Sequence, residues 1–336
     1  MKDTLFKSGL APFMNSLIEM KRVQGFKVDK YEYTLKLFDT YCIDNNLNTF
    51  KALTQQNLNK WREEMINNKS VTIYMKYSVI RQLIRHINDL GHQVEDIRLP
   101  KNGTDSYIPY IFSKKQISQI FEAADKLRLA ANDVNRVMFA IPAALRILYA
   151  TGIRSGELVN IKNQDVDFCN GTITLCHTKN GQDRLIPLTR SALAVMVQYR
   201  NERQKLGLEC TELPKSFFFV SAKGRGLNAH HSLYEWFRRI LRACSIHHLG
   251  RRHGPRVHDL RHTFAVHSML KQMENGVDLY ATTAWLSTYL GHKSPYATEQ
   301  YVRLASDALE SVRNIQTSLA TEIYPQLNLE ENEFSW

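Results

Sequence analysis

Apolar residues recur at three- and four-residue steps through most of this chain. In LAPFMNSLIEMKRVQG (10–25) and KYEYTLKLFDTYCIDN (30–45) they mark one face of a helix each. Thr54 stands as an N-cap before QQNLNKWREEMIN, with Leu53 and Leu58 spaced as a hydrophobic staple. Ser70 stands as the cap of a longer helix through YMKYSVIRQLIRHINDL, and Gly91 stops it. Four helices joined by short turns predict a small bundle. The period then vanishes in DIRLPKNGTDSYIP (96–109), whose prolines, glycine and small polar residues read as a linker.

Past the linker, Ser113 caps KKQISQIFEAADKL, and a largely apolar helix follows in VNRVMFAIPAALRILYATG, ended by Gly152. In QDVDFCNGTITLCHTKNGQDRLIPL the period drops from 3.6 to two. Two turn signals, NG at 170–171 and KNGQ at 179–182, separate three short alternating runs, which predicts a three-stranded antiparallel meander. Beyond Thr189 the pattern is helical again. The fold class is therefore mainly α with one small antiparallel sheet. The expected domains are a helical bundle over 1–95, a linker over 96–109, a second domain over 110–320 and a tail over 321–336.

The bulk numbers narrow the function. No apolar run is long enough to cross a bilayer, and MKDTLFKSGL is not a signal peptide, which predicts a cytoplasmic protein. The five cysteines, Cys42, Cys169, Cys176, Cys210 and Cys244, form no C-x-x-C pair and are expected to be reduced and mostly buried. Cys210, Cys244, His248 and His253 match no zinc-finger spacing, so no metal is expected. A net charge of +11 favours a polyanionic partner. From Lys223 to His262 the chain carries Lys223, Arg225, Arg238, Arg239, Arg242, Arg251, Arg252, Arg256 and Arg261 against only Glu235 and Asp259. In the bundle, Lys76, Arg81 and Arg85 are placed to face phosphates. The tail EIYPQLNLEENEFSW is the reverse, acidic with no basic residue.

Four stretches carry candidate chemistry. In YATGIRSGELVNI, Arg154 lies in a tight turn with Glu157 one helical turn on; it either offers a fork to a phosphate or simply pairs with that glutamate. Lys179 stands at a hairpin tip, where an ammonium gives up a proton or is merely solvated. In VHDLRHTFAVHSML, His258 and Arg261 share a helix face suited to phosphate oxygens, or just to solvent. In LGHKSPYATEQYVRLA, His292 follows the helix terminator Gly291, and Tyr301 falls nine residues later on a short helix, as a nucleophile or as packing.

Taken in order, ATGIRSGEL, a β-turn lysine, HDLRHTFA and LGHKSPYATEQY resemble the tyrosine recombinase (phage integrase) family over roughly residues 110 to 310. ATTAWLSTY, before LGH, is about a helical turn longer than is usual in that family. The resemblance implies a two-domain C-clamp on DNA and site-specific cleavage and rejoining of strands through a 3′-phosphotyrosine. It implies no cofactor. Tyr301 would be the nucleophile, with Arg154, Arg261 and His292 on the phosphate. Lys179 would protonate the leaving 5′-oxygen, and Glu157 would orient Arg154 or His258. His258 would accept the phenol's proton or donate a further hydrogen bond. The implied partners are double-stranded recombination sites and three further copies in a synaptic tetramer, from a protein monomeric off DNA and associated with the nucleoid. The helix after Tyr301 would dock on a neighbour. Two other functions use the same residues: relaxation of supercoils as by a type IB topoisomerase, and catalytically silent regulation of DNA.

Overall fold

The computed structural model describes residues 5–103, 108–127, 137–176, 183–207, 211–248, 254–292, 294 and 298–305. The chain forms two compact units, Met1–Tyr107 and Ile108–Trp336.

The first unit holds α1 (Ala11–Val23), α2 (Asp29–Asp44), α3 (Gln55–Glu64) and α4 (Ser70–Asp89). Their apolar stripes meet in one core of Leu10, Met14, Leu17, Leu35, Phe38, Trp61, Tyr77, Ile80 and Leu83, with the rings of Phe38 and Trp61 4.8 Å apart. Thr54 caps α3 by accepting the Asn57 N–H at 3.3 Å, and both staple residues, Leu53 and Leu58, are buried in that core. The start of α4 differs from expectation. Lys69 is the N-cap residue, extended at φ −68° and ψ 149°, and Ser70 is the first helical residue.

The second unit opens with α5 (Lys114–Asp125), whose capping box is complete: Ser113 accepts the Gln116 N–H at 3.1 Å and the Gln116 side chain accepts the Ser113 N–H at 2.9 Å. α6 (Ile141–Thr151) ends on Gly152 in the left-handed region, and the four-residue α7 (Ser155–Leu158) follows at once. The meander has strand order β1 (Val166–Asp167), β2 (Thr172–Leu175), β3 (Arg184–Pro187), all antiparallel. Ile173 pairs with Val166 and Ile186 and all three are buried, which fixes the inward face. Then come α8 (Arg190–Gln204), α9 (Tyr234–Ala243), α10 (Asp259–Glu274), α11 (Leu279–Leu290) and a further helix, α12, over 298–305. The additional length noted before LGH is thus part of α11. α10 packs against both α6 and α11, so the C-terminal ends of those two helices converge on it.

Among the described residues the architecture is mainly α with one three-stranded antiparallel sheet, as the periodicities predict. Among the described residues no helix is long and apolar enough to cross a membrane. Of the four described cysteines, Cys42 is buried but Cys169 and Cys176 are exposed, against the expectation of burial. Cys169 sits in the turn after β1, where Asp167 accepts the N–H groups of Cys169 and Asn170 and the thiol is left outside, and Cys176 directly follows β2.

Candidate active site

The site forms where α6 and α11 both stop. Each ends in a left-handed glycine, Gly152 at φ 60° and Gly291 at φ 66°. A helix C-terminus leaves its last carbonyls without partners and carries partial negative charge. Arg261, on the first turn of α10, donates to Gly152 O and Leu290 O, each at 2.8 Å. Arg154 donates to Gly291 O at 3.3 Å. Two guanidinium groups are thus aimed by the ends of two helices. Neither glycine accepts a side chain easily: a Cβ on Gly152 would lie 2.3 Å from Phe264 Cδ1, and one on Gly291 would lie 3.1 Å from Arg184 Nη1.

Glu157 anchors the cations from below. Its carboxylate accepts the Arg154 N–H at 2.8 Å and Arg154 Nη1 at 2.8 Å. It also takes both arms of Arg184, at 2.8 and 3.1 Å. Burial works to raise the Glu157 pKa, but the Arg184 and Arg154 bonds outweigh it and leave it below the usual carboxylate value. Arg184 is a member that the sequence alone did not point to. A period of two would have found it, because Ile186 faces the core and Arg184 must share its side of β3. Three guanidinium groups against one carboxylate leave two net positive charges.

The imidazoles lie on the other side of Arg261. His292 Nε2 is 3.0 Å from Arg261 Nη2, and His292 Nδ1 is 2.7 Å from Thr298 Oγ1. A guanidinium only donates, so Nε2 is the acceptor and Nδ1–H donates to the threonine. His258 and His262 are four apart on α10, one above the other, with ring centroids 4.8 Å apart. Burial, helped by Arg261, pulls the pKa of both His258 and His292 down to about 4. Burial, then the neighbouring His258 and Arg261, pulls His262 down to about 3. All three rings are neutral at physiological pH.

Tyr301 completes the group. It is 1% exposed and stacks on His292 with centroids 6.2 Å apart. Its hydroxyl lies 2.7 Å from His262 Nδ1. Burial raises its pKa while the charge of Arg261 opposes the rise. The structure therefore gathers Arg154, Glu157, His258, Arg261, His292 and Tyr301 in one place and adds Arg184, His262 and Thr298. The phenol meets His262 rather than His258. His262 stands inside HDLRH, and its spacing of four from His258 was the available signal. Lys179 lies outside the described residues.

The other predicted contacts are dispersed. On α9, Phe237, Ile240 and Leu241 are buried, and Glu235, Arg239 and Arg242 project outward. The Arg239 guanidinium lies 4.6 Å from the centre of the Trp236 ring and Arg238 lies 5.9 Å from that of Tyr234. Lys223 and Arg225 are exposed in the turn before α9, and Arg256 is half-buried beside Asp259. Arg251 and Arg252 lie outside the described residues. In the first unit, Lys76 is half-buried on α4, Arg81 holds Asp96 with both arms at 2.7 to 3.0 Å, and Arg85 reaches the same carboxylate at 3.5 Å. Among the described residues no three His, Cys, Asp or Glu side chains converge as for a metal; Cys210 and His253 are outside that set.

A helical unit with a small meander, carrying a buried tyrosine among arginines and neutral histidines, defines a tyrosine-type site-specific DNA recombinase. The chain belongs to the phage integrase family, whose sequence profile matches residues 111–307. It is 29% identical over 210 residues to an integrase/recombinase of Sinorhizobium fredii, across 62% of this chain and 66% of that one. It is 26% identical over 308 residues to the tyrosine recombinase XerC of Oceanobacillus iheyensis, across 88% of this chain and 92% of that one. Its fold matches a XerH site-specific recombinase bound to its difH substrate, with a TM-score of 0.64 at 20% identity over 86% of this chain and 80% of that one.

Proposed function

We propose that Tyr301 attacks the scissile phosphate of a double-stranded recombination site and forms a 3′-phosphotyrosine, which a 5′-hydroxyl later reverses. A phenoxide is both a competent nucleophile and a good leaving group, so the bond energy is kept for rejoining. Arg154 and Arg261 hold the two non-bridging oxygens. Glu157 fixes Arg154, and Arg184 fixes Glu157. His258 binds the phosphate further, His292 holds Arg261 toward it, and Lys179 protonates the departing 5′-oxygen. One observation carries this reading: the cluster that holds the phenol carries two net positive charges, matching the two negative charges of a pentacoordinate phosphorane.

The division of labour follows the two units. The first, with Lys76, Arg81 and Arg85, grips the DNA backbone. The second adds Lys223, Arg225 and the outward face of α9, and carries out the cut. Four copies assemble on two sites, in a protein that works in the cytoplasm on nucleoid DNA. The segment after residue 305 docks on a neighbouring copy. A cavity of about 440 Å³ lined by Phe121, Tyr149, Val195 and Phe264 together with Lys271 and Arg146, the latter paired with Asp125, offers it a largely apolar seat.

The test is adduct trapping on a nicked site taken from the DNA flanking the gene. The unaltered protein should become linked to the labelled 3′ end. Tyr301→Phe should bind equally and form no adduct. An adduct in that variant would overturn the reading.

A further inference from the structure

The tyrosine must lose a proton as it attacks, and among the described residues four groups around it are chemically able to take one. Two are otherwise engaged, and a third stands beyond the ring of the fourth. Glu157 already accepts from Arg154 and from both arms of Arg184. His292 has its acceptor nitrogen on Arg261 and its N–H on Thr298. His258 packs its ring on His262, and the ring that meets Tyr301 is that of His262. Among the described residues only His262 presents an acceptor nitrogen to the phenol, at 2.7 Å, and its side chain is buried.

We propose that His262 is a catalytic residue of strand cleavage, whose Nδ1 takes the Tyr301 proton as the phenolic oxygen bonds to phosphorus. This rests on the reading of Tyr301 as nucleophile. The direction of the bond follows from its surroundings. Arg261 turns positive charge toward the Tyr301 oxygen, so that oxygen is the electron-rich end and its own hydrogen is free to point at Nδ1. In the step, the Tyr301 Oη–P bond forms and the P–O5′ bond breaks. The phenolic proton moves to His262 Nδ1, and O5′ takes a proton from the general acid. In rejoining, the 5′-hydroxyl gives its proton to that acid, and the departing phenoxide recovers its own from His262.

The imidazole is a weak base without DNA, because burial and the groups facing it disfavour its charged form. Those groups are His258, Arg256 and Arg261 from α10 and its approach, and His292 beyond α11. A phosphate seated among the same arginines supplies the missing negative charge and raises its basicity. Proton transfer is thereby coupled to occupancy by DNA.

His262→Asn keeps a polar atom near the Nδ1 position but cannot be protonated. Adduct formation on the nicked site should slow by about 100-fold or more, the usual worth of a general base, with DNA binding unchanged. A substrate with sulfur at the bridging 5′ position needs no general acid; it should restore Lys179→Ala and leave His262→Asn slow. On that substrate the unaltered enzyme should show a rate that rises with pH and then levels, and His262→Asn should lose the plateau. A His262→Asn rate within threefold of the unaltered one, with Tyr301→Phe inert, overturns this inference alone. An adduct in Tyr301→Phe overturns both readings. Should His262→Asn bind DNA poorly, the unaltered enzyme decides: a flat rate between pH 5 and 9 on the sulfur substrate overturns the proposal.

Discussion

Arg184 closes on both carboxylate oxygens of Glu157, at 2.8 and 3.1 Å, and so joins the sheet to the turn that carries Arg154. The pair is nearly solvent-free, with side-chain exposures of 11% and 9%. Removing one partner of such a pair leaves a buried charge uncompensated. Glu157→Ala should therefore destabilise the second unit by about 3–5 kcal/mol. It also leaves Arg154, Arg184 and Arg261 facing one another. Chemical denaturation of the full chain measures the loss, and adduct yield should fall with it. A loss below about 1 kcal/mol would mean that solvent already screens the pair.

The two left-handed glycines should behave differently from each other. Gly291→Ala meets the left-handed penalty of roughly 1–2 kcal/mol and pushes on Arg184. Gly152→Ala meets the same penalty plus a collision with Phe264, 2.3 Å from the new Cβ. The collision is removable. In a Phe264→Ala background, Gly152→Ala should cost only the backbone part, so the double variant should be more stable than the sum of the singles by roughly 1–3 kcal/mol. Additive losses would refute the contact.

Acid should weaken the second unit well before it protonates the carboxylates. His258 and His292 titrate at about 4 and His262 at about 3 when folded, all below the ordinary value of 6.5. The unfolded chain therefore binds more protons in the window from about 6.5 down to 3 or 4. Stability is complete above 6.5 and is lost as pH falls through that window. For the buried His262 alone the loss between pH 7 and 5 is about 2 kcal/mol. Melting temperature should drop over that range, and His262→Asn should flatten part of the drop. A melting temperature that does not move between pH 7 and 5 would show that the rings are protonated in the fold.

Thr298 should matter more than its size suggests. It is buried and receives the Nδ1–H of His292, which leaves Nε2 as acceptor for Arg261. Thr298→Val keeps the shape and removes the oxygen. The imidazole N–H is then unsatisfied, at a cost of about 1–3 kcal/mol. The ring also becomes free to change tautomer and turn an N–H toward a cation. Adduct formation should fall by about tenfold, as for other positioning partners of a functional histidine. Normal kinetics in this variant would mean that packing alone holds His292.

Much of this was legible in the sequence, for a physical reason. Helix caps are local, so Thr54, Ser113, Gly152 and Gly291 announced their positions through residue type alone. The meander was legible because a period of two and glycine turns are also local. Partnership is not local. Arg184 looked like one more basic residue until β3 turned it toward Glu157, 27 positions earlier in the chain. His262 and Tyr301 are 39 positions apart, and only the packing of α10 beside α11 and α12 shows which histidine meets the phenol. Ser70 misled because a serine before an apolar period resembles a cap whether or not its backbone is extended.

Asp96 tests whether the first unit grips DNA. It holds Arg81 by a two-armed bond and touches Arg85, so two of the three cations assigned to phosphate on α4 are engaged by a carboxylate. The cluster is exposed, and a phosphate competes with the carboxylate for the same forks. Asp96→Asn removes the competitor's charge and keeps its size. Affinity for non-specific duplex should rise, and the dependence of log K on log salt should steepen by about one phosphate contact. Arg81→Ala should do the opposite, weakening binding to all sequences alike. If both variants bind with the slope of the unaltered protein, α4 does not touch the backbone, and the grip of the first unit must come from another face.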